Sequence, residues 1–403
     1  MRLAGIDVHK KVLMVVVVDQ SCPEVIVEKG KFGTGYSELQ RLMLWVKQQG
    51  VGEVVMESTA QYWRPVWAVL ESHVVLQLAH AQSNRAPKGR KSDWADAKRL
   101  VRRHVAGELF LSYVPEPEQR DWRMITRARQ ALIRDQVHLH NQIEALLEQA
   151  SLKLSSVMSD LLCVSGQRIL NALAEGKTDP QSLAELADRR LRCGAEVLRD
   201  ALRGHFTDVH RLLLSQLLQR WTTLRHQIAD LNREAARRLQ PYTAQMERLI
   251  EVPGIGAEAA QEILAELGPL AAAFPSSSQL ASWIGVCPGM QESAGQNHSG
   301  RCAKGNRYIR RVLCQVAQAA ARTKGCHLQV VFRKLVVRLG YNKAVWAIAH
   351  KIAIILWNIL HHQVRYIEHG EAINPKAVQI AIQHHLKALR RLGYSPTTLP
   401  ASV

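Results

Sequence analysis

The first hundred residues alternate between short β-branched runs and helical patterns, and this order limits the folds open to them. Residues 3–6, 12–18 and 25–27 predict three consecutive strands, because valine and isoleucine favour an extended backbone. Apolar residues at helical spacing predict a helix over 36–49 that ends at Gly50. The pattern then predicts a strand at 52–56, a helix at 62–71, a strand at 73–78, a loop at 84–92 and a helix from Asp93.

The predicted order is βββαβαβα, which combines a strand meander with βα units. Such an order gives a mixed sheet with helices packed against it. One carboxylate on the first strand, one on the fourth and two on the last helix make this the RNase H-like (RuvC-like) arrangement. Most of the remaining chain is helical in character, so the predicted fold class is α/β plus all-α.

Four carboxylates occupy those positions, namely Asp7, Glu57, Asp93 and Asp96. Asp93 and Asp96 are three residues apart at the head of the predicted helix, so they face one side of it. If the strands that carry Asp7 and Glu57 are neighbours, all four side chains can converge. Converging carboxylates repel one another unless cations lie between them. Oxygen ligands suit Mg²⁺ or Mn²⁺, and two such ions in one carboxylate cage serve phosphodiester chemistry.

Each acid also has an ordinary explanation. A strand aspartate is often a turn or capping residue, and acids are common at helix N-termini because of the helix dipole. Actin-like kinases also begin with GIDxG, but there a Gly-Thr run follows, whereas Val8, His9 and Lys10 follow Asp7 here. Glu57 ends an apolar strand, where a bare carboxylate is costly without a partner. The metal site therefore rests on the four acids in combination.

The chain is strongly basic, with a net charge of +18 and a pI of about 9.9. Residues 293–367 contain no Asp or Glu but 13 Lys or Arg. Such a surface attracts polyanions, so nucleic acid is the first candidate partner and an anionic membrane the second. A merely solvated basic face is the third interpretation.

The seven cysteines are scattered, without a CxxC pair or a histidine cluster. This pattern argues against structural zinc and predicts a protein of the reducing cytoplasm. The N-terminus reads directly into a strand rather than into a signal peptide. Residues 344–360 are apolar but contain His350 and Lys351, and they predict a buried helix rather than a membrane span.

The middle of the chain predicts long helices. Pro115 and Pro117 close the first domain, a helical pattern follows over 118–149, and residues 152–239 are also helical in character. A long antiparallel helical arm, for dimerisation or reach, is the simplest interpretation, and a compact helical domain explains the pattern equally well. The apolar stripes consist of Ile125, Ala128, Leu132, Leu139, Ile143 and Leu146, then Leu217, Leu224, Ile228 and Leu231.

A third unit follows these helices. Gly254 and Gly256 form a turn that resembles the hairpin of helix-hairpin-helix elements, where backbone N–H groups meet a phosphate. The same turn can also be a plain helix entry. Further on, a basic helix carries Arg307, Arg310 and Arg311 within the acid-free segment, which favours phosphate contact over simple solvation.

Several motifs in a fixed order resemble those of a known family. GIDVHK contains Asp7, MEST contains Glu57, and KSDWADA contains the other two carboxylates. The C-terminal motifs are VPGIG, LASWIGVCPG and a loop that reads ES, SGR and KGN in turn. Together they resemble bacterial insertion-sequence transposases of the IS-one-ten group, over roughly residues 1–145 and 245–365.

The resemblance implies a serine nucleophile toward DNA in the C-terminal transposase domain. The matching serine here is Ser293, which follows the glutamate of the loop. Arg301, Lys304 and Arg307 are close enough in sequence to supply cations around a scissile phosphate. Ser299 is the neighbouring alternative, and its setting indicates backbone and phosphate contact instead.

The resemblance also implies a bacterial protein that is associated with the nucleoid when active, and it implies partners. The family moves its element as a circular double-stranded intermediate and is associated with a structured guide RNA encoded by the element's own end. It implies a homo-oligomer, a dimer or tetramer, whose active sites combine the acidic domain of one protomer with the serine domain of another. Residues 296–298 read Gln-Asn-His, where similar sequences are often more basic, and this departure bears on the loop's phosphate contacts.

The predicted domains are a RuvC-like catalytic domain at 1–117, a helical arm at 118–240, a transposase domain at 241–370 and a peripheral basic tail at 371–403. The predicted function is a transposase or site-specific recombinase acting on double-stranded DNA through a divalent-metal DEDD site and a serine nucleophile. A metal-dependent nuclease of the Holliday-junction-resolvase kind, using only the carboxylates, is the first alternative. A non-catalytic nucleic-acid-binding protein on the same scaffold is the second.

Overall fold

The chain forms two compact units, Met1–Pro115 and Glu116–Val403. The computed structural model describes residues 1–84, 92–188, 193–289, 291–293 and 296–368. The predicted basic tail at 371–403 lies outside the described residues, as does most of the predicted loop at 84–92.

The first unit is a five-stranded mixed sheet with helices, and the predicted order βββαβαβα is confirmed. The strands lie side by side in the order β3-β2-β1-β4-β5, with β1 antiparallel to β2 and parallel to β4. The elements are β1 (Arg2–Val8), β2 (Val12–Asp19), β3 (Cys22–Gly33), α1 (Tyr36–Gln48), β4 (Val51–Glu57), α2 (Trp63–Leu70), β5 (Val75–Ala79) and α3 (Asp93–Val105). This is the architecture expected of an RNase H-like domain.

The third strand is much longer than the sequence predicts. It extends over Cys22–Gly33 rather than 25–27, and most of its residues are exposed. β3 is an edge strand that pairs with β2 among the described residues. An edge strand does not need an apolar face along its whole length, so β3 carries charged residues. A prediction based on β-branched runs therefore finds only its apolar middle.

Alternation along β1 divides the sheet into two faces. Ile6 and its even-numbered neighbours pack into a core with α1 and α2, whereas Leu3 packs into a second core with α3. Gly5 lies on the α3 side, and a Cβ atom there would come within 2.4 Å of the Ala97 carbonyl oxygen. A glycine at this position therefore lets α3 approach the strand closely. Asp7 follows two residues later and points to the same side.

We expect Gly5→Ala to destabilise the first unit by about 2 kcal/mol or more, because the new methyl group must displace helix backbone. Thermal or urea unfolding of the purified chain measures the change. Gly35→Ala is the matched control, since its φ is −73° and a Cβ there meets no atom within 4 Å. Equal stability of the two variants would contradict the close contact.

The second unit is mostly helical, as predicted. Its long helices are α4 (Pro117–Gln149) and α9 (Asp208–Leu239). Between them lie α5 (Leu154–Val157), α6 (Val164–Ala174), α7 (Pro180–Ala184) and α8 (Ala195–Ala201). The chain continues with α10 (Thr243–Ile250), α11 (Ala257–Leu267), α12 (Ser277–Ile284), β6 (Gln291–Ser293), β7 (Gln296–Ser299), α13 (Arg307–Arg322), α14 (His327–Leu339) and α15 (Tyr341–His362).

The helices α4 and α9 run antiparallel. Arg238 near the end of α9 donates to Asp121 near the start of α4, with an Nη1–Oδ2 distance of 2.9 Å. At the opposite end, Ile143 and Leu147 of α4 join Leu214 of α9 in a core completed by the short helices between them. The middle of the chain thus combines a long helical pair with a small apolar core at one end.

A second core of this unit surrounds α15. Ile348, Ile352 and Leu356 are fully buried together with Ile263 of α11 and Leu313 of α13. By length and composition alone α15 could cross a membrane, and half of its most apolar window is buried inside the protein. The packing explains the apolar sequence, because a core helix contacts neighbours on several sides.

Candidate active site

Two of the predicted carboxylates lie at the ends of neighbouring parallel strands. Ile6 of β1 is in register with Met56 of β4, and both pack into the core with α1 and α2. Asp7 and Glu57 are the next residues, so their side chains emerge beside each other on the opposite face, which α3 covers. Parallel pairing places the carboxyl ends of both strands at one edge of the sheet.

The first turn of α3 brings Asp93 to the same place. The His9 Nε2 atom lies 3.0 Å from Asp7 Oδ2 and 3.7 Å from Asp93 Oδ1. Ligand atoms of these three residues lie within 4.8 Å of one another, a spacing that could hold a metal ion. His9 was not singled out from the sequence, although alternation along GIDVHK places it on the same side as Asp7.

The electrostatics of the cluster favour a bound cation. Burial raises the pKa of the Asp7 carboxyl, and the charges of Asp96 and Asp93 raise it further, while His9 acts in the opposite direction. A carboxylate held among other acids and partly out of water is destabilised unless a cation neutralises it. Asp7 is only 17% exposed, whereas Asp93 is 53% exposed and faces solvent.

The other two acids have partners of their own. Glu57 Oε2 accepts a hydrogen bond of 2.8 Å from Asn84 Nδ2, and Asp96 Oδ1 lies 2.8 Å from Arg99 Nη1. Neither acid belongs to the three-residue cluster around His9. Asp96 is nevertheless near enough for its charge to raise the pKa of Asp7.

Asn84 adds a further oxygen that the sequence analysis did not find. The side chain is buried, and its Oδ1 atom has no hydrogen-bond partner among the described residues. An orphaned buried acceptor next to Glu57 suits a site that also takes an ion or its water. No signal in the sequence separates Asn84 from the polar loop that follows it. The donor set of carboxylate and amide oxygens thus fits a hard divalent ion.

The predicted nucleophile lies in a hairpin of the second unit. Ser293 ends β6 and is paired with Gln296 of β7, while Glu292 is paired with Asn297. The structure describes the backbone of this hairpin and not its side chains. Seven residues separate β7 from α13, so the hairpin leads directly into the basic helix.

Four of the predicted nucleic-acid-binding residues line one groove of about 610 Å³. The Arg310 guanidinium lies over the Trp346 ring, 4.7 Å from its centroid. It also donates to the Ala303 carbonyl oxygen at 2.8 Å. The groove is lined by Lys304, Gly305, Arg307, Arg310, Arg311, Cys314, Gln315, Gln318 and Trp346. Arg301 is exposed and does not line this groove.

The two turn glycines have different surroundings. Gly254 has a φ of +90°, and a Cβ there would come within 2.6 Å of the Val316 carbonyl oxygen of α13. Backbone conformation and close packing therefore already require glycine at this position. Gly256 precedes α11 as its exposed N-cap, with Glu258 in the first turn. Phosphate contact by either glycine stays a prediction.

Comparison with known proteins identifies the class to which this fold and site belong. Residues 4–152 match the DEDD transposase family, and residues 246–331 match a family described as "Transposase IS116/IS110/IS902 family". A "Probable family 20 transposase" of Pseudomonas aeruginosa is 28% identical over 325 residues, covering 78% of this chain and 85% of the relative. The "Transposase for insertion sequence element IS1111A" of Coxiella burnetii is 24% identical over 373 residues, covering 91% of each chain.

The chain is therefore a transposase, an enzyme that acts on DNA. The predicted resemblance to insertion-sequence transposases of this group is confirmed, because both family matches and these relatives agree on it. The DEDD domain indicates dependence on a divalent metal, in agreement with the carboxylate cluster of the first unit.

Replacing Asp7 tests the electrostatics of the metal-free site. The pKa of Asp7 is higher in the folded protein than in the unfolded chain. The fold therefore loses stability as the pH rises from the pKa of the unfolded state through that of the folded state. We expect Asp7→Asn to raise the melting temperature of metal-free protein near neutral pH and to change it little below pH 3.8, where both states are protonated.

The same variant should no longer gain stability from Mg²⁺ or Mn²⁺, which stabilise the wild type by binding only its folded state. Scanning calorimetry with a chelator and with either ion measures both effects. A metal-free Asp7→Asn protein that is less stable than the wild type near neutral pH would contradict the cost of burying the Asp7 charge beside other acids.

Proposed function

We propose that this transposase cuts and rejoins DNA strands at the ends of an insertion sequence, as a site-specific recombinase. The observation that carries the proposal is the convergence of Asp7 and Asp93 at the edge of an RNase H-like sheet, where burial and like charge favour a cation. The printed name of the Coxiella burnetii relative, a transposase for an insertion sequence element, supports the choice of substrate.

The four acids supply the oxygens that hold divalent ions, proposed here as two Mg²⁺ or Mn²⁺. Such ions, when bound by these acids, would neutralise the charge that develops at a scissile phosphate. His9 orients Asp7, Asn84 orients Glu57, and Arg99 orients Asp96. Fixed carboxylates lose little freedom when they bind, which favours a preorganised site.

Ser293 is proposed as the nucleophile of strand exchange. Its hydroxyl oxygen attacks phosphorus, the serine proton passes to a base, and a phosphoserine ester forms while a deoxyribose hydroxyl leaves. The hydroxyl of another strand then attacks this ester, which forms the new phosphodiester bond and returns the serine. Bond energy is conserved, so no ATP is needed. The match of residues 246–331 to a transposase family model supports this role, as does the short connection from the hairpin to the basic groove.

A structured guide RNA and a homo-oligomer are proposed as partners. The net charge of +18 and the acid-free segment 293–367 support binding of more nucleic acid than one duplex. Half-buried apolar residues along α4 and α9, among them Ile125, Leu132 and Ile228, support association of the helical pair with another copy.

The DNA beside the gene tests the proposal of a guide RNA. It should encode a structured non-coding RNA whose loops match both the flanking DNA and the end of the element. Sedimentation of the full chain tests the oligomer.

A metal-dependent nuclease of the Holliday-junction-resolvase kind is the second candidate. It is favoured by the fact that the first unit alone holds a carboxylate set sufficient for phosphodiester hydrolysis. In that case Ser293 is a bystander.

Replacing Ser293 separates the two candidates. We expect Ser293→Ala to abolish the covalent protein–DNA adduct and to lower recombination by a factor of at least about 10³, because the attacking oxygen is missing. Denaturing gels of protein incubated with labelled element ends, together with a plasmid recombination assay, measure both. Ser299→Ala, on the other strand of the same hairpin, is the control and should retain the adduct. Full strand cleavage by Ser293→Ala would favour the nuclease.

The basic groove makes a separate prediction. If Arg311 contacts a phosphate, Arg311→Ala should weaken binding of duplex DNA of any sequence and lower the salt-dependence slope by about one. Titrations by fluorescence anisotropy at several salt concentrations measure the slope. Arg41→Ala is the control, because that exposed arginine of α1 lies in the first unit. An unchanged slope for Arg311→Ala would show that the groove does not bind DNA.

A further inference from the structure

Two buried carboxylates lie one turn apart on α11. Glu262 and Glu266 are 8% and 1% exposed. A buried carboxylate is costly unless it is paired and hydrogen-bonded, so each requires specific partners. Arginines of α4 supply them. Arg129 is 0% exposed, because it crosses the interface between the helices.

Glu262 is satisfied entirely by α4. Its Oε1 atom accepts from Arg129 Nη2 at 3.0 Å, and its Oε2 atom accepts from Gln130 Nε2 at 2.6 Å. This pair joins α11 to α4.

Glu266 makes the same kind of contact and one more. Arg127 binds it in bidentate fashion, with Nε donating to Oε1 at 2.7 Å and Nη2 donating to Oε2 at 2.9 Å. The additional donor is Asn306 Nδ2, which lies 2.7 Å from Oε2. Glu266 therefore connects three segments of the second unit: α11, α4 and the residue that precedes α13.

Asn306 is the N-cap of α13. Its Oδ1 atom accepts hydrogen bonds from the backbone N–H groups of Tyr308 at 2.9 Å and Ile309 at 3.5 Å. The same amide thus caps the helix through its oxygen and reaches Glu266 through its nitrogen. Glu266 fixes which way the amide faces, because only the nitrogen can donate to a carboxylate.

A second contact holds the same turn. The Arg127 guanidinium lies over the Tyr308 ring, 4.2 Å from its centroid. The ion pair of Glu266 and Arg127 therefore contacts the start of α13 at two points. Glu266 contacts Asn306, and Arg127 contacts Tyr308. A planar, bidentate and stacked arginine restricts movement in more directions than a single hydrogen bond does.

We infer that Glu266 is a positioning residue for DNA binding by the basic groove. Lys304 and Gly305 directly precede Asn306, and Arg307 and Arg311 lie on the turns that Asn306 begins, so these groove residues depend on the start of α13. Glu266 acts through Asn306 and Arg127 rather than through the DNA. This inference rests on the proposed function of the groove.

Glu262 provides a matched control for the test. It is buried on the same helix and paired with the same partner helix, but its contacts among the described residues do not include α13. Glu262→Gln leaves the fully buried Arg129 without its carboxylate, and Glu266→Gln does the same to the part-buried Arg127. A general loss of stability should therefore affect both variants alike, whereas an effect on the groove should follow Glu266 alone.

Full-length protein is titrated with a fluorescent DNA duplex at fixed salt, and the unfolding of each variant is measured in parallel. We expect Glu266→Gln to weaken DNA binding by about tenfold or more, the usual effect of losing a charged hydrogen bond. Glu262→Gln should stay within about twofold of the wild type. Equal losses in the two variants would reduce Glu266 to a structural residue and overturn the inference.

Asn306→Ser separates capping from positioning. Serine is a good N-cap, so α13 should remain capped, but its hydroxyl is too short to replace the amide nitrogen at Glu266. We expect a loss of DNA affinity like that of Glu266→Gln, and no further loss in the double variant, because both changes break one link. If Glu266→Gln does not fold, Asn306→Ser decides alone, and wild-type affinity in that variant overturns the inference.

Arg311→Ala is measured in the same series. If it keeps full affinity and slope, the groove does not bind DNA, and the proposed function of the groove fails together with this inference. If Arg311→Ala weakens binding while Glu266→Gln and Asn306→Ser do not, the groove function stands and only the role of Glu266 is wrong.

Discussion

The close approach of α3 to β1 is the constraint on which the first unit depends. A helix at ordinary distance from the sheet would leave Asp93 too far from Asp7 to share an ion. Gly5 removes the side chain that would keep them apart, and Ala97 supplies the small residue facing it. The carboxylates then meet because of packing, while their own repulsion opposes the contact. Apolar burial in the α3 core therefore offsets the electrostatic cost of bringing these acids together. Such costs are common at sites where a fold binds a cation.

The second unit also uses a buried charged group to position its exposed charges, but the exposed charges are basic and the buried group is an acid. Its groove collects three arginines and one lysine, while the buried Glu266 contacts Asn306, which caps the helix that carries the arginines. Because Arg127 neutralises that carboxylate, Glu266 restrains the start of α13 more than it changes the electrostatic potential of the groove. Both units thus use buried polar groups to place charged side chains. The two sets of side chains differ in sign: the first unit gathers acids, which attract metal ions, and the second gathers bases, which attract polyanions.

Much of the first unit could be predicted from sequence, because its strands are β-branched and its helices are amphipathic. From the sequence, the convergence of Asp7 and Glu57 is conditional on their strands being neighbours, and the parallel pairing of β1 with β4 meets that condition. His9 and Asn84 could not be predicted in the same way, because their roles come from contacts with residues distant in the chain. The same limit applies to Arg129, which looks like a surface residue until α11 covers it. Strand β3 was underestimated because an exposed edge needs no apolar pattern.

That edge has a consequence for how copies of this chain can meet. An edge strand presents free amide and carbonyl groups, and β3 also exposes Val25, Ile26 and Val27, a sequence suited to pairing with a strand from another molecule. Charged side chains flank this apolar triplet, with Glu24 before it and Glu28 and Lys29 after it. Such gatekeepers discourage strand addition and aggregation. The charges on both sides of the triplet act against the addition of a strand from another molecule at β3.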